Sequence, residues 1–284
     1  MPTNFSVKIS LLPLLILPIF LFTASVSFGQ NAFATPAGAR GIGMGNANLT
    51  LKDVYSGFNN PAGLAYLNGF EGAAFVENRF LLQELQMAAI SLAQPTNSGT
   101  IGMTLQYFGF EDYNEQKVGL NYSRKLFDKL SIGAQFDFLN TRVKEYGNAS
   151  AITFGIGLQY EILDKLTAGI HVFNPIRATI GTQNLPSIIQ IGITYQVADY
   201  LTISGAIEKD TTLPYNVKFG LEYQVADKIQ LRAGMNSNPN RLSFGVGYLV
   251  NQLQLNVAAT YHDILGFSPA VGFRFMPKKK ATLN

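Results

Sequence analysis

Apolar and polar residues alternate along most of the chain after about residue 68. Between residues 152 and 160, for example, every second residue is large and apolar, and the residues between them are Thr, Gly or Gln. A period of two is the pattern of a β-strand with one apolar and one polar face. The pattern predicts about fourteen strands, at residues 70–76, 84–93, 99–108, 116–124, 130–140, 151–160, 166–173, 188–196, 201–208, 216–223, 229–236, 242–248, 253–261 and 269–275.

A short motif, Gly-x-x-Tyr followed by Asp or Asn, recurs at the ends of these predicted strands. It occurs at residues 157–160, 192–195 and 220–223, and looser copies begin at residues 119 and 245. Each copy ends one strand, turns tightly and starts another, which predicts a β-hairpin. One tyrosine at the same height in each hairpin is typical of the aromatic girdle of a transmembrane barrel. The predicted interface aromatics are Tyr122, Tyr160, Tyr195, Tyr223 and Tyr248.

Strand number and connection length both favour a transmembrane barrel. About fourteen antiparallel strands of about ten residues suit a barrel made from one chain. Short connections at residues such as Asp164 and Asp227 alternate with longer ones at residues 111–115, 141–150 and 174–187, which predicts short periplasmic turns and longer extracellular loops. A soluble β-sandwich also alternates. The barrel is favoured because the tyrosines recur at one hairpin end and the last strand ends at Phe275.

The composition agrees with a protein whose outer surface faces lipid. Hydrophobic residues make up 47% of the chain and charged residues 14%, whereas a soluble domain carries about 25% charged residues. The absence of cysteine excludes disulfides, thiolate catalysis and cysteine-ligated metals. Formal net charge is only +3, so no nucleic-acid partner is indicated.

The first residues are predicted to be a signal peptide, residues 1–29. Lys8 precedes an apolar run at residues 9–22, and small residues surround a cleavage site after Gly29. A membrane anchor is the alternative, but Pro13 and Pro18 interrupt the run. A signal peptide and a barrel together predict an outer-membrane protein in contact with outer-membrane lipid. The predicted organisation continues with a glycine-rich segment at 30–67, the barrel at 68–275 and a short basic periplasmic tail at 276–284.

The glycine-rich segment carries a family resemblance. It contains the run GARGIGMGNA and then NPAGL, with an acidic residue between them. Together with a barrel of about fourteen strands, these motifs resemble the FadL-like outer-membrane family, and especially its PorV/PorQ branch associated with type IX secretion. The resemblance implies that the segment folds into the lumen as a plug or hatch. The motif residues are Gly38, Arg40, Gly41, Gly43, Gly45, Asp53, Asn60, Pro61 and Gly63.

The predicted fold class is therefore all-β, an antiparallel transmembrane β-barrel of about 14 strands with an N-terminal lumenal plug segment. A barrel of this size has more interior than its own small lumen-facing residues fill, which independently predicts a plug. Gly41, Gly43 and Gly45 do not fit a phosphate loop, because no strand precedes them and no Gly-Lys-Ser/Thr ending follows.

Candidate chemistry is sparse. The two histidines, His171 and His262, and the adjacent Glu111 and Asp112 form no set of nucleophile, base and orienting group. No catalytic residue, metal site or cofactor is predicted, and an enzyme is not expected. Charged residues on the polar strand faces are candidates for lining the lumen, where they either form a selective path or pair with one another or with the plug. They are Lys218, Glu222, Arg232 and Arg274.

Two functions remain open from the sequence. The PorV/PorQ resemblance implies a non-enzymatic accessory or docking subunit of an outer-membrane secretion or assembly machine, with a protein partner. The alternative is a FadL-like transporter for a hydrophobic small-molecule ligand, which enters from outside and leaves through a rearranged hatch or a lateral gap. The transporter predicts an apolar, ligand-sized cavity beside the plug.

Overall fold

A computed structural model describes Phe33 and residues 38–276 of the chain. The predicted signal peptide lies outside the described residues, and so does the predicted basic tail apart from Met276.

Fourteen antiparallel strands form a closed barrel, which confirms the predicted all-β class and the strand number. Each strand pairs with its neighbours along the chain, and the first strand pairs with the last. A separate two-stranded hairpin lies in the connection between the seventh and eighth strands of the barrel. The strands are β1 (Glu71–Asn78), β2 (Gln86–Thr96), β3 (Gly99–Gly109), β4 (Tyr113–Phe127), β5 (Leu130–Val143), β6 (Gly147–Leu163), β7 (Leu166–Phe173), β8 (Thr179–Ile180), β9 (Gln183–Asn184), β10 (Ile188–Ala198), β11 (Leu201–Asp210), β12 (Asn216–Ala226), β13 (Ile229–Ser237), β14 (Asn240–Val250), β15 (Leu253–His262) and β16 (Gly266–Phe275).

Several strands are longer than the alternation predicts. β6 begins at Gly147, so the predicted loop at 141–150 is wrong: only residues 144–146 separate β5 from β6. The predicted loop at 111–115 is likewise shortened by β4, which begins at Tyr113. Backbone pairing continues past the apolar band, where both faces are polar and alternation no longer marks the strand. The predicted start of the second strand at Glu84 is also wrong, because residues 83–85 form a 3-10 helix.

The two faces of the wall are chemically different. Large apolar residues at outward positions are exposed, as Ile152, Ile156 and Tyr160 are in β6, whereas Thr153 and Gln159 between them are fully buried. Short turns lie at the end of the barrel where β1 begins and β16 ends, and the longer connections lie at the other end, here called the loop end. An apolar outer band around a closed barrel is the arrangement of a transmembrane β-barrel.

Residues 38–67, here called the inner segment, precede β1. They contain α1 (Ala39–Gly43), α2 (Ser56–Asn59) and a 3-10 helix (Pro61–Tyr66); two further 3-10 helices, Arg79–Leu81 and Gln83–Leu85, connect β1 to β2. Among the described residues, no helix is both long and apolar enough to cross a membrane. Most inner-segment side chains are buried, and together with Phe75, Met87 and Phe108 of the wall they form the larger apolar cluster of the molecule.

Candidate functional site

The inner segment lies directly against backbone of the barrel wall at paired glycines. Gly45 has a φ of +61°, and a Cβ added there lies 2.5 Å from the nitrogen of Met235 and 2.8 Å from the carbonyl oxygen of Phe219. A Cβ added to Gly234 on β13 lies 2.7 Å from the Cα of Gly45 and closer still to its nitrogen. Only glycine permits such an approach. The glycine-rich run of the inner segment therefore packs directly against β12 and β13.

Arg40 connects the inner segment to the wall through an ionic network. Its Nη2 and Nε donate to the two carboxylate oxygens of Glu222 on β12, at 2.6 and 2.9 Å, and its Nη1 donates to Asp53 at 2.9 Å. Glu222 also accepts from Nε of Arg232 on β13, at 2.6 Å. Nη1 of Arg232 donates to Asn256 at 2.9 Å. Two arginines therefore share one wall carboxylate, and Asp53 adds a second negative charge.

A second branch of the network reaches the seam where the barrel closes. Arg274 on β16 makes a bidentate pair with Glu71 on β1, at 2.8 and 3.0 Å, and its Nη1 lies 3.9 Å from Asp53. Tyr55, which follows Asp53, donates its hydroxyl to the carbonyl oxygens of Ala74 and Phe273, both at 3.1 Å. Bidentate arginine pairs are geometrically specific. The network thus fixes the inner segment to β1, β12, β13 and β16.

The NPAGL run forms a third attachment. Asn60 is fully buried, donates its amide to the carbonyl oxygens of Leu158 and Ile170 at 3.2 and 3.4 Å, and accepts from the nitrogen of Ala62 at 3.2 Å. It caps the 3-10 helix that begins at Pro61 and at the same time binds β6 and β7. Its side chain occupies the space where a Cβ of Gly157 would lie. Of the remaining motif glycines, Gly43 lies against the wall, where an added Cβ is 3.1 Å from the Cα of Gly245 on β14. The others pack within the segment, Gly38 against Tyr55, Gly41 against Asn48 and Gly63 against Ser56.

Asn60→Ala is expected to loosen the inner segment without unfolding the barrel. The substitution removes three hydrogen bonds and leaves the amide nitrogen of Ala62 without its cap. A loss of about 1–3 kcal/mol in the stability of the segment follows from one buried polar group left unpaired. Limited proteolysis of the purified protein measures it as faster cleavage within residues 38–67. Asn97→Ala, on an exposed turn, is the matched control; equal cleavage in both variants contradicts the anchoring role.

The predicted lumen-lining residues are buried and paired. Arg232 and Arg274 belong to the network above, and Lys218 lies 2.7 Å from Glu208 of β11. Sequence reasoning missed Glu71, Glu208, Lys117 and Asp137, although all four occupy inward positions of alternating strands. Lys117 and Asp137, both almost fully buried, lie 3.4 Å apart. Every one of these charges faces an opposite charge, so the pairing alternative is the one that the geometry supports.

A second, smaller apolar cluster forms a pocket at the loop end of the lumen. The ring of Phe33 is 1% exposed and packs with Leu139, Ile180 and Leu185. Beside it is a cavity of about 20 Å³, and the residues that line it are Phe33, Phe58, Asn59, Lys117, His171, Phe173, Ile188 and Gln190. Among the described residues, Nε2 of His171 and Oδ1 of Asn59 have no hydrogen-bond partner. The cavity therefore has room for about one water molecule with polar neighbours.

The predicted interface aromatics lie on the outer surface near the short turns. Tyr122, Tyr160, Tyr195, Tyr223 and Tyr248 are each between 41% and 50% exposed. Elsewhere on the outer surface is an apolar recess of about 560 Å³. Its residues come from five strands and include Ala74, Ala88, Ile90, Leu105, Val271 and Phe273. Pairing across β16, β1, β2 and β3 continues beneath it without a register shift. Within the described wall, this recess does not form a lateral gap.

The remaining candidate residues show no catalytic arrangement. His171 is buried on β7, and His262 at the end of β15 accepts from the nitrogen of Ile264 at 3.2 Å. Lys144 donates to Asp112 at 2.6 Å and lies 3.5 Å from Glu111. The hydrogen bond to Asp112 raises the pKa of Lys144. No group of three or more metal-ligating side chains occurs among the residues that the structure describes.

Comparison by sequence finds no match to a described protein family or to a curated protein. Comparison by structure finds clear likenesses. The TodX deltaS2S3 mutant, a monoaromatic hydrocarbon channel, has a TM-score of 0.71 at 11% identity over 85% of this chain and 99% of that one. The CymD monoaromatic hydrocarbon channel has a TM-score of 0.64 at 13% identity over 83% of this chain and 98% of that one.

A FadL homologue of Pseudomonas aeruginosa gives a similar result. Its TM-score is 0.59 at 14% identity, over 84% of this chain and 96% of that one. Identities this low establish a likeness of fold. The chain has the fold of a FadL-like outer-membrane barrel.

Proposed function

We propose that this protein passes hydrophobic small molecules across an outer membrane, in the manner of a FadL-like channel. The observation that carries the proposal is the apolar pocket around Phe33 at the loop end of the lumen. Solved barrels of the same fold are named as channels for monoaromatic hydrocarbons. The proposed role is non-enzymatic and requires no cofactor. By the usual rule for such barrels, the loop end faces the exterior.

We propose further that the inner segment is the plug that closes this path. Three attachments bind it to the wall: Gly45 against Gly234, Arg40 with Glu222, and Asn60 with β6 and β7. They are spread around much of the circumference of the barrel. Backbone pairing closes the whole barrel, which favours movement of the plug as the route to the periplasm. The FadL-like alternative of a rearranged hatch is therefore favoured over a lateral gap.

Uptake by cells tests the proposal. Expression in a Gram-negative host without a channel of this kind is expected to raise the initial rate of labelled toluene uptake severalfold over that of the empty vector. Uptake of a hydrophilic solute such as glycerol is expected to stay at the level of that control. An unchanged toluene rate, with the barrel correctly inserted, contradicts the proposal.

A disulfide clamp tests the movement of the plug. The hydroxyls of Thr50 in the inner segment and Thr194 on β10 lie 2.6 Å apart, within reach of the short sulfur–sulfur bond of a disulfide. The chain has no cysteine, so Thr50→Cys with Thr194→Cys creates a single bridge. Oxidised protein is expected to lose toluene uptake and reduced protein to recover it, whereas each single variant is insensitive to oxidation. Equal uptake in both redox states contradicts a moving plug.

The PorV/PorQ-like accessory role is a second candidate. It is favoured by the small size of the interior cavity and by the many bonds that hold the inner segment in place. Affinity purification from gently solubilised native outer membranes separates the two roles. A stoichiometric protein partner, in a strain whose toluene uptake does not depend on the barrel, supports the accessory role. A barrel that purifies alone supports the channel.

A further inference from the structure

Arg241 differs from the other arginines inside the barrel. Arg40, Arg232 and Arg274 each bind a carboxylate at 2.9 Å or less. Arg241 lies at the loop end of β14 and faces the lumen, two residues before the inward-facing Ser243. Its Nε is buried and has no hydrogen-bond partner among the described residues, and none of their carboxylates forms an ion pair with it. A cation that is partly buried without a partner is costly to keep.

The charges around Arg241 leave the loop-end mouth of the lumen positive. Arg79 and Glu77 are both close enough to act on Arg241 electrostatically. Glu77 is buried and is already paired with Arg79, whose Nε lies 3.2 Å from it. Two guanidinium groups therefore have one carboxylate between them. An anion that reaches this mouth from outside meets one positive charge that no described residue neutralises.

His262 adds a hydrogen-bond donor next to Arg241. The two residues pair directly across β14 and β15 and so share the lumenal face. Nδ1 of His262 accepts from the backbone nitrogens of Ile264 at 3.2 Å and Leu265 at 3.4 Å. The proton of the neutral imidazole is therefore on Nε2, which acts as a donor. Arg241 and His262 together offer N–H groups to one acceptor.

The ring of Phe80 covers these donors. Phe80 lies in the connection between β1 and β2, and its ring centroid is 6.1 Å from that of His262 and 5.8 Å from Cζ of Arg241. Its backbone nitrogen donates to Oγ of Ser268 at 3.0 Å. Phe80 and Leu81 have φ values of +56° and +59°, which bulky residues rarely adopt. A backbone strained in this way persists only while its surroundings hold it, and the side chain of Leu81 is 63% exposed.

We propose that Arg241, Arg79 and His262 form a binding site for an oxyanion, a carboxylate or phosphate group, and that Phe80 is a lid which the anion displaces. The planar guanidinium fork of arginine matches the two oxygens of such a group. Departure of Phe80 also releases the strained backbone at Leu81. The site goes beyond the proposed channel function, since a path for uncharged molecules does not require it. The anion is either a free ion or the acid head of an amphiphile.

A ¹⁹F titration of the full-length chain in an uncharged detergent tests the site. 4-Fluorobenzoate is expected to bind in a saturable manner, whereas 4-fluorobenzamide, which has the same ring without the charge, is not. Competition by inorganic phosphate at constant ionic strength identifies a free oxyanion as sufficient. Competition by octanoate but not by phosphate shows that the site requires an acid with an apolar body. Indistinguishable titrations of the benzoate and the benzamide overturn the proposal.

Three variants assign the binding to these residues. Arg241→Gln is expected to weaken 4-fluorobenzoate binding at least about tenfold, because the charge-assisted hydrogen bonds are lost. Phe80→Ala is expected to tighten it severalfold, because the site is no longer covered. Arg142→Gln, which removes an exposed arginine at the loop end of β5, is the control and is expected to bind as wild type does. Wild-type affinity in either Arg241→Gln or Phe80→Ala, with the barrel folded, overturns the proposal.

Discussion

Gly234→Val is expected to expel the inner segment from its contact with β12 and β13 while leaving the barrel folded. An added Cβ at this position meets the backbone of Gly45 and Met44, and backbone cannot move aside by changing rotamer. Overpacking of a tight core costs about 1–3 kcal/mol when side chains can adjust, and a conflict with backbone costs at least the upper part of that range. We expect faster proteolysis of residues 38–67 and the appearance of steady single-channel conductance in planar bilayers.

Gly205→Val is the matched control for this experiment. Gly205 lies on β11, and an added Cβ there meets only one atom within 4 Å, the carbonyl oxygen of Lys218 at 3.8 Å. The control is expected to show wild-type conductance and proteolysis. Both variants are expected to retain the heat-modifiable band of a folded barrel on gels. If Gly234→Val shows no channel conductance and its residues 38–67 are cleaved no faster than in wild type, the inner segment does not pack against β12 and β13 as described.

The strand pattern was predictable because it depends on local chemistry. A wall residue faces either lipid or lumen, so the period of two in a segment such as β6 specifies its faces without knowledge of its neighbours. The tight turns after Tyr160 and Tyr195 are equally local. Alternation specifies the strand ends less well: β6 runs from Gly147 to Leu163, beyond the predicted 151–160 at both ends.

The ionic network was not predictable in the same way. Arg40 and Glu222 are 182 positions apart, and Glu71 and Arg274 are 203 apart. Their meeting depends on the closure and register of the whole barrel, which no local pattern specifies. Sequence reasoning placed Arg232 and Arg274 in the lumen, but it did not identify their partners. It also had no signal for Phe33, which belongs to no periodic segment.

The motif that suggested PorV/PorQ has a structural explanation that does not distinguish between functions. Asn60 caps a helix and binds two strands, and Gly63 lies where a side chain would meet Ser56. Any plug held against these strands benefits from such residues, whether the barrel conducts a solute or serves a secretion machine. The resemblance therefore supports a FadL-like fold. The choice between a channel and an accessory subunit depends on what the lumen can bind and pass.

Glu222→Ala is expected to be the most destabilising single change in the ionic network. The substitution leaves Arg40 and Arg232 buried with no carboxylate between them, and removal of one partner from a buried pair costs about 3–5 kcal/mol. The chain has no tryptophan, so guanidinium unfolding is followed by circular dichroism or gel mobility. Asp199→Ala, which removes an exposed pair with Lys165, is expected to change stability by less than about 1 kcal/mol.

A double-mutant cycle shows whether Glu222→Ala loses stability because it leaves two buried arginines without their shared carboxylate. Arg40→Ala alone leaves Glu222 paired with Arg232, and in combination with Glu222→Ala it removes one of the two stranded guanidinium groups. The loss in the double variant is therefore expected to fall short of the sum of the single losses by about 1–3 kcal/mol, as for residues of one network. Strict additivity contradicts a shared carboxylate. It also removes the electrostatic reason for regarding Arg40 as a residue that holds the inner segment to the wall.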